Sequence, residues 1–282
     1  MKIKELLYKL SRDLVPVAQD LSGREAEQIL EDVTGFDRQR LYRSATLELS
    51  ERQLEKAFAH LKKRLTGTPL AYVLGYTYFW DQTFITTQAV LIPRPDTETV
   101  ITQILHHENE PSRYVTDLGT GSGIIAQTLC GERPDWKLVA IDRSQDAVEV
   151  ARQNCQASIM VVCSDMLQAF KRNPLFDIVV SNPPYIPDRH VMELNSSVRD
   201  YEPMEALAGG ADGLDYYRYL AQELKDFLKD GARIYCEIGY DQGESVSFIF
   251  KDARWESVQV FKDLANRPRV VRAIYPGNSN NR

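Results

Sequence analysis

The sequence predicts an α/β protein: a doubly wound, mostly parallel seven-stranded sheet preceded by a small all-helical N-terminal domain. Three observations carry this. From about residue 112, apolar runs of strand length alternate with amphipathic stretches of helix length, the rhythm of parallel strands joined by crossover helices. Before residue 69 the only strong periodicity is helical. Turns bearing glycine, acid or proline follow four successive strands, which is where an open α/β sheet binds its ligand.

In the first region, MKIKELLYKLSRDL alternates charge with apolar residues and reads as an amphipathic helix. It lacks the apolar core and cleavage site of an export signal. Ser22 with Glu25 three residues later forms a capping-box signature, followed at helical spacing by Ala26, Ile29, Leu30 and Val33 and stopped by Gly35. Ser50 with Gln53 opens another helix, with Leu54, Ala57, Phe58, Leu61 and Leu65 on one face and Gly67 at its end. Residues 1–68 are therefore assigned to a helical domain. It suits either a structural cap on the larger domain or a partner-docking module.

Residues 69–95 change character at Thr68-Pro69. Tyr76–Trp80 and Thr83–Thr86 predict a β-hairpin with Asp81-Gln82 at its tip, a linker that ends in Val90-Leu91-Ile92-Pro93-Arg94-Pro95. Residues 96–276 form the α/β domain. Its candidate strands are Tyr114–Leu118, Leu138–Asp142, Met160–Ser164, Asp177–Ser181 and Ala232–Ile238. Helices are expected at Ile124–Cys130, Ala147–Asn154 and Tyr216–Leu228. Two late strands, Ser257–Lys262 and Val270–Tyr275, are expected to pair antiparallel at the sheet edge. The polar stretch 277–282 (GNSNNR) is expected to be a flexible tail.

Composition narrows the function. Hydrophobic content of 43% with 26% charged residues is that of a soluble globular protein. No apolar run approaches the roughly 20 residues that span a bilayer, so a cytoplasmic protein with no membrane partner is expected. Cys130, Cys155, Cys163 and Cys236 are far apart, with no CxxC and no paired histidine, and read as reduced, buried small hydrophobes. His60, His106, His107 and His190 form no ligand pair, so no metal site is expected. The net charge is −6, and the acidic excess lies beyond residue 65. That disfavours duplex nucleic acid, which selects basic surfaces, and favours a protein or small-molecule substrate. The chain is expected to be a monomer.

Four turns carry the chemistry. Asp117-Leu118-Gly119-Thr120-Gly121-Ser122-Gly123 joins a strand to a helix, and its glycines let backbone approach a ligand. The spacing is GxGxG and no Walker lysine follows, which disfavours a phosphate loop; a dinucleotide or a plain tight turn remains open. Asp142, at the end of the next strand, can hydrogen-bond ribose hydroxyls or cap the helix from Ser144. Ser164-Asp165-Met166 can set a carboxylate near an adenine amino group with Met166 on the ring, or serve as an ordinary turn. Asn182-Pro183-Pro184-Tyr185 ends the fourth strand. Its two prolines fix φ and remove two donors, so the Asn182 side chain sits beside carbonyls without local partners. Such a site accepts both hydrogens of a planar NH2 group, with Tyr185 flat against the group that carries it. Alone, it does not say whether that group belongs to a base or to an amide.

DLGTGSG, Asp142 and SNPPYI together resemble class I S-adenosylmethionine-dependent methyltransferases that act on exocyclic or amide nitrogen. More restrictive segments, PLAYVLG from Pro69, IPRPDTE from Ile92, LAGGADGL from Leu207 and EIGYDQG from Glu237, resemble the HemK/PrmC family of protein glutamine N5-methyltransferases. The resemblance runs from about residue 20 to 275. It implies that residues 96–276 are an S-adenosylmethionine-dependent methyltransferase domain, and that the substrate is the Gln of the Gly-Gly-Gln loop of class I peptide-chain release factors. By the same resemblance Gly119, Thr120, Gly121, Ser122, Gly123, Asp142, Asp165, Met166 and Asn182 would line the S-adenosylmethionine site. Asn182, Pro183, Pro184 and Tyr185 would hold the glutamine amide, with Asn182, Pro183 and Tyr185 as the catalytic group. Met166 stands where relatives carry an aromatic, and Leu264–Arg269 departs from the family's Gly/Asp-containing loop. Arg94 and Glu98 either close over the substrate from the domain junction or, as the preferred reading, pair and anchor the hairpin; Asp212 is expected to shape its loop and Glu237 to be structural. The alternatives are an adenine-N6 or guanine-N2 methyltransferase of DNA or RNA, and a non-catalytic S-adenosylmethionine-binding module.

Overall fold

The structure, a computed structural model, describes residues 1–277; the expected flexible tail lies, beyond Gly277, outside the described residues. The chain divides into two compact units. One contains Met1–Tyr76 with Asn195–Tyr201, the other Thr77–Leu194 with the described residues from Glu202 onward.

The first unit contains α1 (Ile3–Ala18), α2 (Ser22–Thr34), α3 (Arg38–Arg43), α4 (Glu51–Leu65) and α5 (Leu70–Leu74). Leu6, Leu10, Leu14 and Ala18 recur every four residues on α1 and are buried together against Ala26, Ile29 and Leu30 of α2 and Ala57 and Leu61 of α4. At the start of α4 the box is as expected: Ser50 accepts from the Gln53 backbone N–H and Gln53 from that of Ser50. At α2 it is not. A 3-10 turn, Gln19–Leu21, runs directly into the helix, and Ser22 makes no cap. Glu25 instead receives the Arg64 guanidinium through two bonds of 2.8 and 3.1 Å. That pairing puts Arg64, rather than the half-exposed Leu65, on the buried face of α4.

The second unit opens with a hairpin, β1 (Tyr76–Phe79) and β2 (Gln82–Ile85). Its tip is Trp80-Asp81, one residue earlier than expected. Both have positive φ, 49° and 56°, as the tight two-residue hairpin turn requires. Then follow α6 (Glu98–His107), β3 (Tyr114–Leu118), α7 (Ile124–Glu132), β4 (Lys137–Asp142), α8 (Gln145–Asn154), β5 (Met160–Cys163), β6 (Phe176–Ser181) and α9 (Asp188–Val191). After α10 (Ser196–Arg199) of the first unit come α11 (Asp215–Glu223), β7 (Leu228–Glu237), α12 (Gly243–Asp252), β8 (Glu256–Lys262) and β9 (Pro268–Ile274). α6 and α12 were not anticipated, and α11 is shorter than expected. It stops at Glu223, and after a 3-10 turn Leu228 already belongs to β7.

The sheet has seven strands in the order β5-β4-β3-β6-β7-β9-β8. β3 to β7 are parallel; β9 runs antiparallel to both β7 and β8, so β8 is the edge. Alternate residues feed opposite cores. Val139, Ile141, Val179, Ile234 and Cys236 pack on one face. Leu138, Ala140, Ile178, Val180 and Tyr235 pack on the other. Burial on both faces is why these strands read as unbroken apolar runs. Cys130 and Cys236 are buried as expected, but Cys155 is half-buried and Cys163, the last residue of β5, is exposed. Strand order reverses between β3 and β6, the point at which such a sheet opens a crevice for ligand.

Candidate active site

The turn after β3 is built around a buried acid. Asp117 Oδ2 accepts the Thr120 hydroxyl at 2.6 Å and the Ala126 N–H at 3.3 Å, and burial pushes its carboxyl up to about 7. Gly119 and Gly121 take positive φ, and a Cβ on either would meet no protein atom within 4 Å, only the crevice. Gly123 differs: its Cβ would lie 2.7 Å from Cys155 Sγ, so glycine there lets α7 pack close to α8.

Asp142 ends β4, and its carboxylate binds backbone N–H groups beside the cavity, while the cap of α8 is the Ser144 hydroxyl, which accepts the Ala147 N–H. Oδ1 accepts the Ser144 N–H at 2.9 Å at the start of α8, while Oδ2 accepts the Gly121 N–H at 2.9 Å. One carboxylate thus ties the glycine turn to the next strand end. Asn154, at the end of α8, donates to Ser122 O and exchanges two bonds with the backbone of Ile85, which pins the hairpin beside the same turn. After β5, Ser164 and Asp165 hold a compact turn through bonds to Ala169 and Gln168. Met166 stands there at φ 48°, uncommon for a residue with a side chain.

β6 ends at Ser181, whose hydroxyl donates to Leu118 O at 2.7 Å and locks it to β3. Asn182 Nδ2 then donates to Thr97 Oγ1 at 3.1 Å, and Thr97 Oγ1 donates to Glu237 Oε2 at 2.7 Å. Glu237 is fully buried, and that burial raises its carboxyl to about 7 against the opposing pull of Thr97 and Arg269. Burial likewise holds the Tyr185 phenol at about 12. The backbone of the Pro-Pro-Tyr segment is gripped from behind. Gln242 Nε2 donates to Tyr185 O at 2.9 Å and to Gly213 O at 3.2 Å. A Cβ at Gly209 would approach Pro184 O to 2.7 Å, and one at Gly213 would approach Tyr185 O to 2.3 Å. Those two glycines let the 208–214 segment lie against the motif, and Asp212, bonded to Leu214 N and Arg218, shapes it as expected.

These turns line one cavity that opens to solvent. Gly119, Thr120, Gly121, Ser122, Asp142, Asp165, Met166, Asn182 and Pro184 are on its wall; Gly123, Pro183 and Tyr185 are not. Two further segments, Ala89–Arg94 and Pro203–Ala206, contribute wall residues that sequence reasoning missed. They are clasped by an ion pair between Arg94 and the buried Glu202, which also accepts the Ile92 N–H. The expected Arg94–Glu98 pair is therefore absent: Glu98 opens α6 instead. Arg143 and Glu205, both on the wall, pair at 3.2 Å. Thr97 lies in the IPRPDTE segment but its role carried no local signal, and Glu202 carried none, because their partners lie far along the chain and only the topology brings them together.

Comparison with known proteins places this geometry. Residues 5–75 match the PrmC N-terminal domain family and residues 96–196 the methyltransferase small domain family. The chain is 37% identical to a release factor glutamine methyltransferase of Francisella tularensis over 90% of its own length and 91% of the relative's. It is 35% identical to one of Coxiella burnetii over 96% and 98%. Among solved structures, a methyltransferase from Pyrococcus furiosus shares the fold at TM-score 0.50 and 14% identity, over 77% of this chain and 98% of that one.

Proposed function

The chain belongs to the release factor glutamine methyltransferase family, and on that premise we propose that it methylates the side-chain amide nitrogen (N5) of the glutamine in the Gly-Gly-Gln loop of class I peptide-chain release factors. As a class I methyltransferase it uses S-adenosylmethionine, which when bound supplies an electrophilic methyl group. The cavity suits that cofactor. Open space stands where a Cβ of Gly119 or Gly121 would lie, and the Asp142 carboxylate is held at its wall. We assign Gly119, Thr120, Gly121 and Ser122 to the cradle, Asp142 to the ribose hydroxyls, and Asp165 and Met166 to the adenine. Gly123 shapes the turn, and Asn182 stands at both subsites.

An amide nitrogen is a poor nucleophile because its lone pair is delocalised into the carbonyl. Asn182 Oδ1 and the Pro183 carbonyl can each accept one of its hydrogens. That positions the nitrogen and sets negative potential where positive charge develops. We assign Pro184 and Tyr185 to the rest of the holding site, with Tyr185 to pack against the amide plane. The methylated nitrogen is strongly acidic and gives up its proton to solvent, so no strong base is required of the chain.

The observation that supports this most directly is the bond from Asn182 Nδ2 to Thr97, which leaves Oδ1 as the free acceptor. Incubation of the protein and labelled S-adenosylmethionine with a purified release factor, and separately with DNA and with RNA, tests it. Label is expected on the release-factor glutamine. Label found only in nucleic acid overturns the proposal.

A further inference from the structure

Asn182 is useful to an incoming NH2 group only in one of its two amide orientations. With Oδ1 toward the substrate it accepts a hydrogen; with Nδ2 there, two donors face each other. Nothing within the four-residue motif selects between them. The selection comes from two residues elsewhere in the chain.

We infer that Thr97 and Glu237 are positioning residues that fix the orientation of the Asn182 amide. A hydroxyl has one hydrogen to give. The Thr97 hydroxyl gives it to Glu237 Oε2 at 2.7 Å, so toward Asn182 it can only accept. The group that reaches it is accordingly Nδ2, at 3.1 Å. Thr97 is 1% exposed and Glu237 is 1% exposed, so water does not compete for either bond. An ionised Glu237 has no hydrogen to donate, which gives the chain of bonds a single direction: Asn182 to Thr97 to Glu237.

The surroundings of Glu237 keep that carboxylate in place. Arg269 on β9 faces it, with Arg94 and Asp96 from the segment before α6 and Tyr185 beyond the end of β6. Tyr217 of α11 donates to Glu237's own carbonyl at 2.8 Å, and buried Cys236 precedes it on β7. Arg269 also pairs with Asp96 and Asp263, so its charge is shared and does not seize the Glu237 carboxylate from Thr97. Glu237 lies at the end of a central strand. Its position is therefore as rigid as the sheet.

This inference rests on the proposed amide chemistry, and the test separates the two. Thr97→Val keeps the shape and removes the hydroxyl; Thr97→Ser keeps the hydroxyl and removes the methyl. With a release factor as substrate, Thr97→Val is expected to lower kcat about 10- to 100-fold with S-adenosylmethionine affinity unchanged, while Thr97→Ser stays within about threefold of wild type. A purely packing role for Thr97 gives the reverse order. Wild-type activity in Thr97→Val, or equal loss in both variants, overturns the inference. The side-chain NH2 signals of Asn182 in the 15N-labelled protein provide a readout independent of turnover. One hydrogen is expected to be protected from solvent exchange in wild type and Thr97→Ser and unprotected in Thr97→Val. If that pattern holds while no release factor is methylated, the substrate reading fails and the positioning role stands. If the hydrogen is equally protected in all three, the positioning role fails.

Discussion

Arg94 closes on Glu202, 108 residues further along the chain, and in doing so clasps two segments of the cavity wall. The two partners are unequal. The Arg94 side chain is 35% exposed and that of Glu202 is 1% exposed. Removing the arginine strands a buried carboxylate, whereas neutralising the acid leaves a cation that can turn to water. Arg94→Met is therefore expected to cost about 1–2 kcal/mol, less than a fully buried pair would because Arg94 is partly solvated. Glu202→Gln should cost less, since its amide oxygen can still accept from Ile92. Urea midpoints of the two variants check the order, and equal losses would show that the pair is not the clasp described. Both variants should also bind S-adenosylmethionine more weakly, as the wall segments loosen.

Asn182→Ala separates holding the substrate from holding the cofactor. The truncated side chain has no acceptor for the amide, so transfer should fall by about two orders of magnitude or more. Most of the cavity wall is contributed by other residues, so the dissociation constant for S-adenosylmethionine should move by less than about threefold. Calorimetric titration beside a single-turnover assay measures both. Turnover preserved at saturating cofactor would contradict the role given to Asn182.

Two glycines with left-handed backbone should respond differently to alanine. Gly35 caps α2 at φ +68° with nothing near its missing Cβ, so Gly35→Ala should cost only the backbone strain, about 1–2 kcal/mol. Gly213 is at φ +78° with Tyr185 O at 2.3 Å from the built Cβ. There the strain adds to overpacking of about 1–3 kcal/mol, and relief must push the Pro-Pro-Tyr backbone out of place. Gly213→Ala should thus lose both stability and turnover, Gly35→Ala stability alone. Comparable turnover in the two variants would mean that the 208–214 segment does not support the motif.

The parts of this molecule that were legible in the sequence are those encoded locally. Central strands such as Phe176–Ser181 are apolar on both faces, and the four site turns follow strand ends directly. α6 and α12 were hidden because their segments, ETVITQILHH and GESVSFIFKD, are rich in β-branched or aromatic residues whose local preference is not helical. Packing against the sheet decides their state. Asn182 was visible as a site residue, but its orientation was not. Thr97 lies 85 residues away from it and Glu237 lies 140 from Thr97, and no periodicity links such positions. Arg269 belongs to the segment that departs from the family's pattern, yet it is one of the charges around Glu237.

Stability and turnover should respond to pH in opposite directions. Burial raises Asp117 from 3.8 and Glu237 from 4.5, each to about 7, and raises Glu202 as well. A carboxyl with a raised value binds its proton more tightly folded than unfolded. Its contribution to stability is complete below the ordinary carboxylate range and is lost as pH rises through about 7. The carboxylates that ion pairs and hydrogen bonds hold low, such as Asp212 and Asp263, change only at or below that ordinary range, so among the carboxyl groups the interval from about pH 5 to 8 reports the raised ones. Unfolding free energy in urea should fall across it by on the order of a few kcal/mol, and Asp117→Asn should flatten the slope. Turnover should rise over the same interval, because only ionised Glu237 gives the Asn182–Thr97–Glu237 chain its single direction. In Glu237→Gln that acid limb should vanish from kcat at saturating cofactor, whereas a limb caused by Asp117, buried behind the glycine turn, would remain. A stability curve that is flat or rising from pH 5 to 8, or an acid limb of kcat unchanged in Glu237→Gln, would show that these carboxyls are not the groups that set the protein's pH response.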